Sequence, residues 1–72
     1  MKMKSYILEF KSDGTMIGMY RDDDGMYRVI EIARGGGGDW REFLLGVLYE
    51  KAMATHVFNS AVQKVTREWE LS

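Results

Sequence analysis

The stretch Gly18-Met19-Tyr20-Arg21-Asp22-Asp23-Asp24-Gly25-Met26-Tyr27-Arg28 carries one tetrapeptide, Gly-Met-Tyr-Arg, on each side of an acidic turn, seven residues apart. A repeat this short is no solenoid unit. It reads as two arms of a hairpin. Asp and Gly are turn formers, and Gly25 stands where left-handed backbone is needed. Taking 22–25 as a four-residue loop sets Arg21 opposite Met26, Tyr20 opposite Tyr27, Met19 opposite Arg28 and Ile17 opposite Ile30.

Toward the N-terminus, Lys4 to Lys11 alternates Tyr6, Leu8 and Phe10 against Ser5, Ile7 and Glu9, a strand pattern. Asp13-Gly14 is a two-residue hairpin turn, which places Phe10 opposite Ile17, Leu8 opposite Met19 and Ile7 opposite Tyr20. Side chains alternate between faces. One face thus collects Tyr6, Leu8, Phe10, Ile17, Met19, Met26, Ile30 and Ile32. The other keeps Ile7, Glu9, Met16, Gly18, Tyr20, Tyr27, Val29 and Glu31. The expectation is a three-stranded antiparallel meander, order 1-2-3, with strands at 4–11, 15–21 and 26–33.

Toward the C-terminus, Gly35–Gly38 reads as a flexible connector. Asp39 then suits a helix N-cap, with Glu42 completing a capping-box pair. Apolar residues at 40, 43, 44, 47 and 48, then at 54, 57, 58, 61, 62, 65 and 69, follow helical spacing. The predicted helical region is 39–69, packed on one sheet face. At ~1.5 Å per residue it would be ~46 Å long, against ~24 Å for a seven-residue strand. Such a helix either bends or splits near residues 51–56, with Thr55 as a new cap, or carries its overhang to a second copy of the chain. The second option makes Phe58, Val62, Val65 and Trp69 an oligomer interface and the protein a homodimer.

The 72 residues form one small α+β domain, residues 1–72, with no cysteine, a formal net charge of -1 and 46% apolar residues. That balance argues against an electrostatic nucleic-acid binder and against disorder. Lacking cysteine, an apolar leader and any run long enough to span a bilayer, the chain is expected to be cytoplasmic, without a membrane partner.

Catalytic chemistry finds no constellation. His56 is the lone histidine, with Ser60 one turn on, and no carboxylate is placed to orient its ring. Asp22-Asp23-Asp24-Gly25 suggests calcium, but the twelfth position that should hold Glu is Ala33 or Gly35. The glycine run lacks the spacing of phosphate loops. No enzyme, metal or cofactor is therefore expected. The informative feature is the tyrosine-bearing face. Ile7, Tyr20, Tyr27 and Val29, with the tip Asp22, Asp23 and Asp24, make the candidate partner-binding surface. The same tyrosines could stack unpaired bases, but this register puts Arg21 and Arg28 on the opposite face, so a single-stranded nucleic-acid binder is the lesser alternative, beside a purely structural homo-oligomer. In size and style the chain is similar to the small non-enzymatic proteins, anti-CRISPR proteins among them, with which phages and mobile elements block host machinery. That likeness implies an inhibitor acting by protein–protein contact.

Overall fold

A computed structural model describes residues 5–35 and 37–71, the last four of these by backbone alone. Four strands, β1 (Leu8–Ser12), β2 (Thr15–Arg21), β3 (Tyr27–Arg34) and β4 (Trp40–Leu48), are followed by one helix, α1 (Lys51–Leu71). They form an antiparallel sheet in the order β1-β2-β3-β4, with α1 across one face. The α+β class and the meander stand. The sheet has four strands rather than three. Lys4 and Gly36, assigned above to the first strand and the connector, lie outside the described residues.

The first hairpin forms as its sequence dictates. Gly14 takes φ 79°, and Leu8 faces Met19 and Phe10 faces Ile17 across β1 and β2. The second hairpin differs by one residue. Asp22 N donates to Met26 O at 2.9 Å and Gly25 N to Asp22 O at 2.9 Å. Only Asp23, Asp24 and Gly25 therefore lie in the loop, with Gly25 at φ 83°. This is the three-residue hairpin in which a turn is closed by a left-handed glycine. It sets Tyr20 opposite Arg28, Met19 opposite Val29 and Gly18 opposite Ile30. A slip of one residue exchanges the two faces of a strand. Tyr27 and Val29 thus lie beneath the helix, and Ile30 and Ile32 on the other face, correcting the expected sorting of β3.

The third hairpin repeats the second. Gly35 N donates to Asp39 O at 2.7 Å, and Gly38 takes φ 89°. Gly37 and Gly38 lie in a turn, not a flexible connector, and residues 40–48 are a strand where a helix was expected. The spacing of Trp40, Phe43, Leu44, Val47 and Leu48 suits a helix, but aromatic and β-branched residues also suit a strand, and Gly46 would weaken a helix interior. A helix at 40–48 would also leave β3 as an unpaired edge. In the strand, Leu45 is the extra residue of a bulge, since Val29 faces Gly46 and Ile30 faces Leu44. A Cβ added at Gly46 would lie 3.2 Å from Leu48 Cδ2 on its own strand and at ordinary contact distance, 3.7 Å, from Val57 Cγ1 of α1.

Helix α1 has 21 residues, a length of about 32 Å. It is a single helix that starts after the break at Tyr49-Glu50. Thr55 is no cap, because its Oγ1 donates to Lys51 O at 2.8 Å within the helix. Ile17, Met19, Val29, Ala54 and Phe58 form the buried core, with Leu8, Phe10, Tyr27, Leu48, Val57, Ala61, Val62 and Val65 packed around it. Each large side chain so buried contributes about 1.5–3 kcal/mol. The late helical stripe therefore closes this chain's own core. Phe58 is 7% exposed, and Val62 and Val65 pack against the same cluster, so these residues do not form a free interface. Trp69 lies in the last turns of α1, where only backbone is described. No helix among the described residues is long and apolar enough to cross a membrane.

Candidate functional site

Because α1 covers one face, the opposite face of the sheet is open, and alternation decides what it holds. Tyr20 from β2, Arg28 and Ile30 from β3, and Glu42 and Leu44 from β4 line a shallow groove of about 260 Å³. Ile30 forms its floor, 2% exposed. Beside it, a bend at Ile7, whose N donates to Met19 O at 2.7 Å, brings Tyr6 onto this face instead of the core. The Tyr6 ring meets Tyr20 edge-on, centroids 6.0 Å apart at 80°. Gly18 makes room for it: a Cβ there would lie 2.6 Å from two Tyr6 ring carbons.

The acidic tip is tied to this face through Arg28. Its guanidinium grips Asp24 with both nitrogens, Nη1 to Oδ1 at 3.1 Å and Nη2 to Oδ2 at 2.8 Å, and reaches Asp22 Oδ2 at 3.0 Å. Asp24 Oδ1 also accepts from Met26 N at 2.9 Å, and Asp22 Oδ1 from Asp23 N at 2.7 Å. The Arg28 guanidinium, seconded by the Met26 N–H, holds the Asp24 carboxyl well below the usual carboxylate range, at about 2. Arg28 is in turn raised by its bonds to Asp24. Two of the three carboxylates are thus engaged in shaping the turn and neutralising Arg28. Arg21 lies on the other face, its guanidinium carbon 5.7 Å from the Tyr27 ring centroid.

Of the residues expected to bind a partner, Ile7 is 40% exposed, Tyr20 is on the open face, and Asp22, Asp23 and Asp24 are exposed at its end. Tyr27 packs on the core and Val29 is fully buried there, so neither joins that surface. Sequence reasoning missed Arg28, Ile30, Glu42 and Leu44. The first two follow from reading Gly25 as the last residue of a three-residue loop, and the other two from β4. His56 and Ser60 are both exposed on α1. Among the described residues no group of three or more His, Asp and Glu could hold a metal ion.

Most of the large exposed apolar side chains lie along β4 and its exit: Leu44, which also lines the groove, with Trp40, Phe43, Leu45, Val47 and Tyr49. Tyr49 is 84% exposed. Leu48, Ala52, Met53, His56 and Val57 add an apolar groove of about 290 Å³ on the helix side of the same strand. No family model matches the chain, and no curated protein or solved structure does either.

Proposed function

We propose that the chain is a small non-enzymatic binding module that acts by protein–protein contact, an inhibitor of the kind phages and mobile elements direct at host machinery in the cytoplasm. Its contact surface is the open sheet face, with Tyr20 at the centre and Ile7, Arg28, Leu44 and the Asp22–Asp24 tip around it. The observation that carries the reading is the groove over Ile30: an apolar floor, an aromatic wall and an ion-paired arginine. Such a mixture gives a partner side chain both apolar area and polar orientation. Titration of a captured partner with wild type, Tyr20→Ala and Leu44→Ala tests it. Loss of affinity in both variants, with the fold retained, supports the surface. Equal affinity in all three removes it.

A single-stranded nucleic-acid reading gains one point from the register, since Tyr20 and Arg28 are now cross-strand neighbours. It loses more, because the Arg28 charge is already met by two carboxylates. Binding that weakens steeply with salt would favour it over protein contact.

A further inference from the structure

The chain holds two Asp-Gly pairs, Asp13-Gly14 and Asp24-Gly25. Each lies in a hairpin loop, each aspartate is exposed, and the glycines share a left-handed φ, 79° and 83°. Such a pair is reactive as well as turn-forming. The nitrogen that follows an aspartate stands one ring closure from its carboxyl, and glycine, without a Cβ, leaves the approach unobstructed. Ring closure is opposed by ionisation of the carboxyl, by hydrogen bonds that hold its oxygens, and by a hydrogen bond on the attacking N–H.

The second hairpin has all of these. Arg28 grips both Asp24 oxygens, at 3.1 and 2.8 Å, and Met26 N donates to Oδ1 at 2.9 Å. Gly25 N donates to Asp22 O at 2.9 Å, and Arg21 Nε donates to Gly25 O at 3.3 Å. The Asp24 carboxyl titrates at about 2 instead of 3.8, so above both values its neutral form is on the order of sixty times scarcer. At the first hairpin the hydrogen-bond restraints are absent among the described residues: none bonds the Asp13 carboxylate, and Gly14 N donates to no acceptor. A Cβ built on Gly14 would meet nothing within 4 Å, so the space around the pair is open. Arg34 N donates to Gly14 O at 3.0 Å, which leaves the nitrogen unengaged.

We infer that Asp13-Gly14 is the site at which this chain converts spontaneously to isoaspartate, and that the ion pair with Arg28 spares Asp24-Gly25. Gly14 N attacks Asp13 Cγ. The new C–N bond closes a five-membered succinimide as the Cγ–OH bond breaks, and the hydroxyl leaves as water with the amide proton. Water then reopens the ring. Attack at Cγ restores aspartate, and attack at the Asp13 carbonyl carbon leaves the main chain running through the side chain, with a new α-carboxylate. One water is lost and one regained, so the mass is unchanged and no oxidant is needed. The product inserts a methylene into a turn that spans only two residues between Ser12 and Thr15. That turn sets the Leu8–Met19 and Phe10–Ile17 pairing, which the conversion loosens. The inference is independent of what the open face binds.

Ageing the full chain for weeks near neutral pH, followed by digestion and electron-transfer fragmentation, reads isoaspartate separately at the two positions. The expected result is an excess at position 13 of about tenfold or more, the direction set by the scarcity of neutral Asp24. In Arg28→Gln that excess should fall several-fold as position 24 becomes reactive. Equal accumulation at the two positions, or more at 24, overturns the inference. So does the absence of isoaspartate at both while a peptide of residues 11–16 converts. An excess unchanged in Arg28→Gln overturns the part assigned to Arg28. Should that variant fail to fold, the wild-type ratio still decides.

Discussion

Asp22 and Met26 are hydrogen-bonded across the tip of the second hairpin, N to O at 2.9 Å, and this single pair determines which face of β3 meets the helix. It leaves Gly25 as the last of three loop residues, at φ 83°. An added Cβ would find only Arg21 Nη2 at 3.6 Å, so the objection to a side chain is conformational. Gly25→Ala should cost about 1–2 kcal/mol, read as a lower denaturant midpoint with an unchanged slope.

Gly18 and Tyr6 make a lock-and-filler pair on the open face. Gly18→Ala forces the ring aside, since its Cβ would start 2.6 Å away, and breaks the contact with Tyr20. The loss should be about 0.5–1.5 kcal/mol, the worth of an edge-on aromatic pair. In a Tyr6→Ala background the same substitution should be nearly silent. A double-mutant cycle on unfolding free energies reads the difference.

Burial predicts opposite tolerance at Val29 and Ile7. Val29 is fully buried under α1, and Val29→Asp places an unpaired carboxylate there, which should prevent stable folding. Ile7→Asp sits at an exposed position and should change stability by about 0.5 kcal/mol or less. Met19→Ala, at the core centre, should cost about 2–5 kcal/mol. Circular dichroism melts of the three variants suffice.

Asp24 gives the fold an acid-sensitive element. Its folded value is depressed to about 2 from an ordinary 3.8. A depressed carboxyl stabilises the fold above its unfolded value and loses that contribution as pH falls from 3.8 toward 2. Side-chain carbon NMR titration should show Asp24 protonating with a midpoint of about 2. In Arg28→Gln its midpoint should move up toward the ordinary range, and Asp24→Asn should flatten the pH dependence of stability in that window.

Much of the fold was legible because local chemistry and the hydrophobic pattern agree in β1 and β2: Asp13-Gly14 admits one turn, and Leu8, Phe10, Ile17 and Met19 follow on one face. β3 was ambiguous because it is apolar at both parities. Tyr27 and Val29 fit a core as well as Ile30 and Ile32, so the register rested wholly on the loop count, and Asp22-Asp23-Asp24-Gly25 reads as four residues unless Gly25 is taken as the closing left-handed residue. β4 was hidden by a coincidence of spacing, since Trp40, Phe43, Leu44, Val47 and Leu48 satisfy a helical stripe. Gly46 inside that stripe, and a third hairpin built like the second, were the contrary signals. The candidate surface inherits both errors: Tyr20 lies on the open side, as alternation along β2 implies, whereas Arg28, Ile30 and Leu44 depended on the register and on the fourth strand.

The most direct test of the account is the cross-strand Hα–Hα contact made by Met19 in a nuclear Overhauser spectrum. In the observed register Met19 faces Val29 as a non-hydrogen-bonded pair, whose Cα atoms lie about 4.5 Å apart. A strong Met19–Val29 cross-peak, matched by one between Ile17 and Glu31, is the predicted result. A Met19–Arg28 peak in its place would return Tyr27 and Val29 to the open side and contradict the groove built around Tyr20.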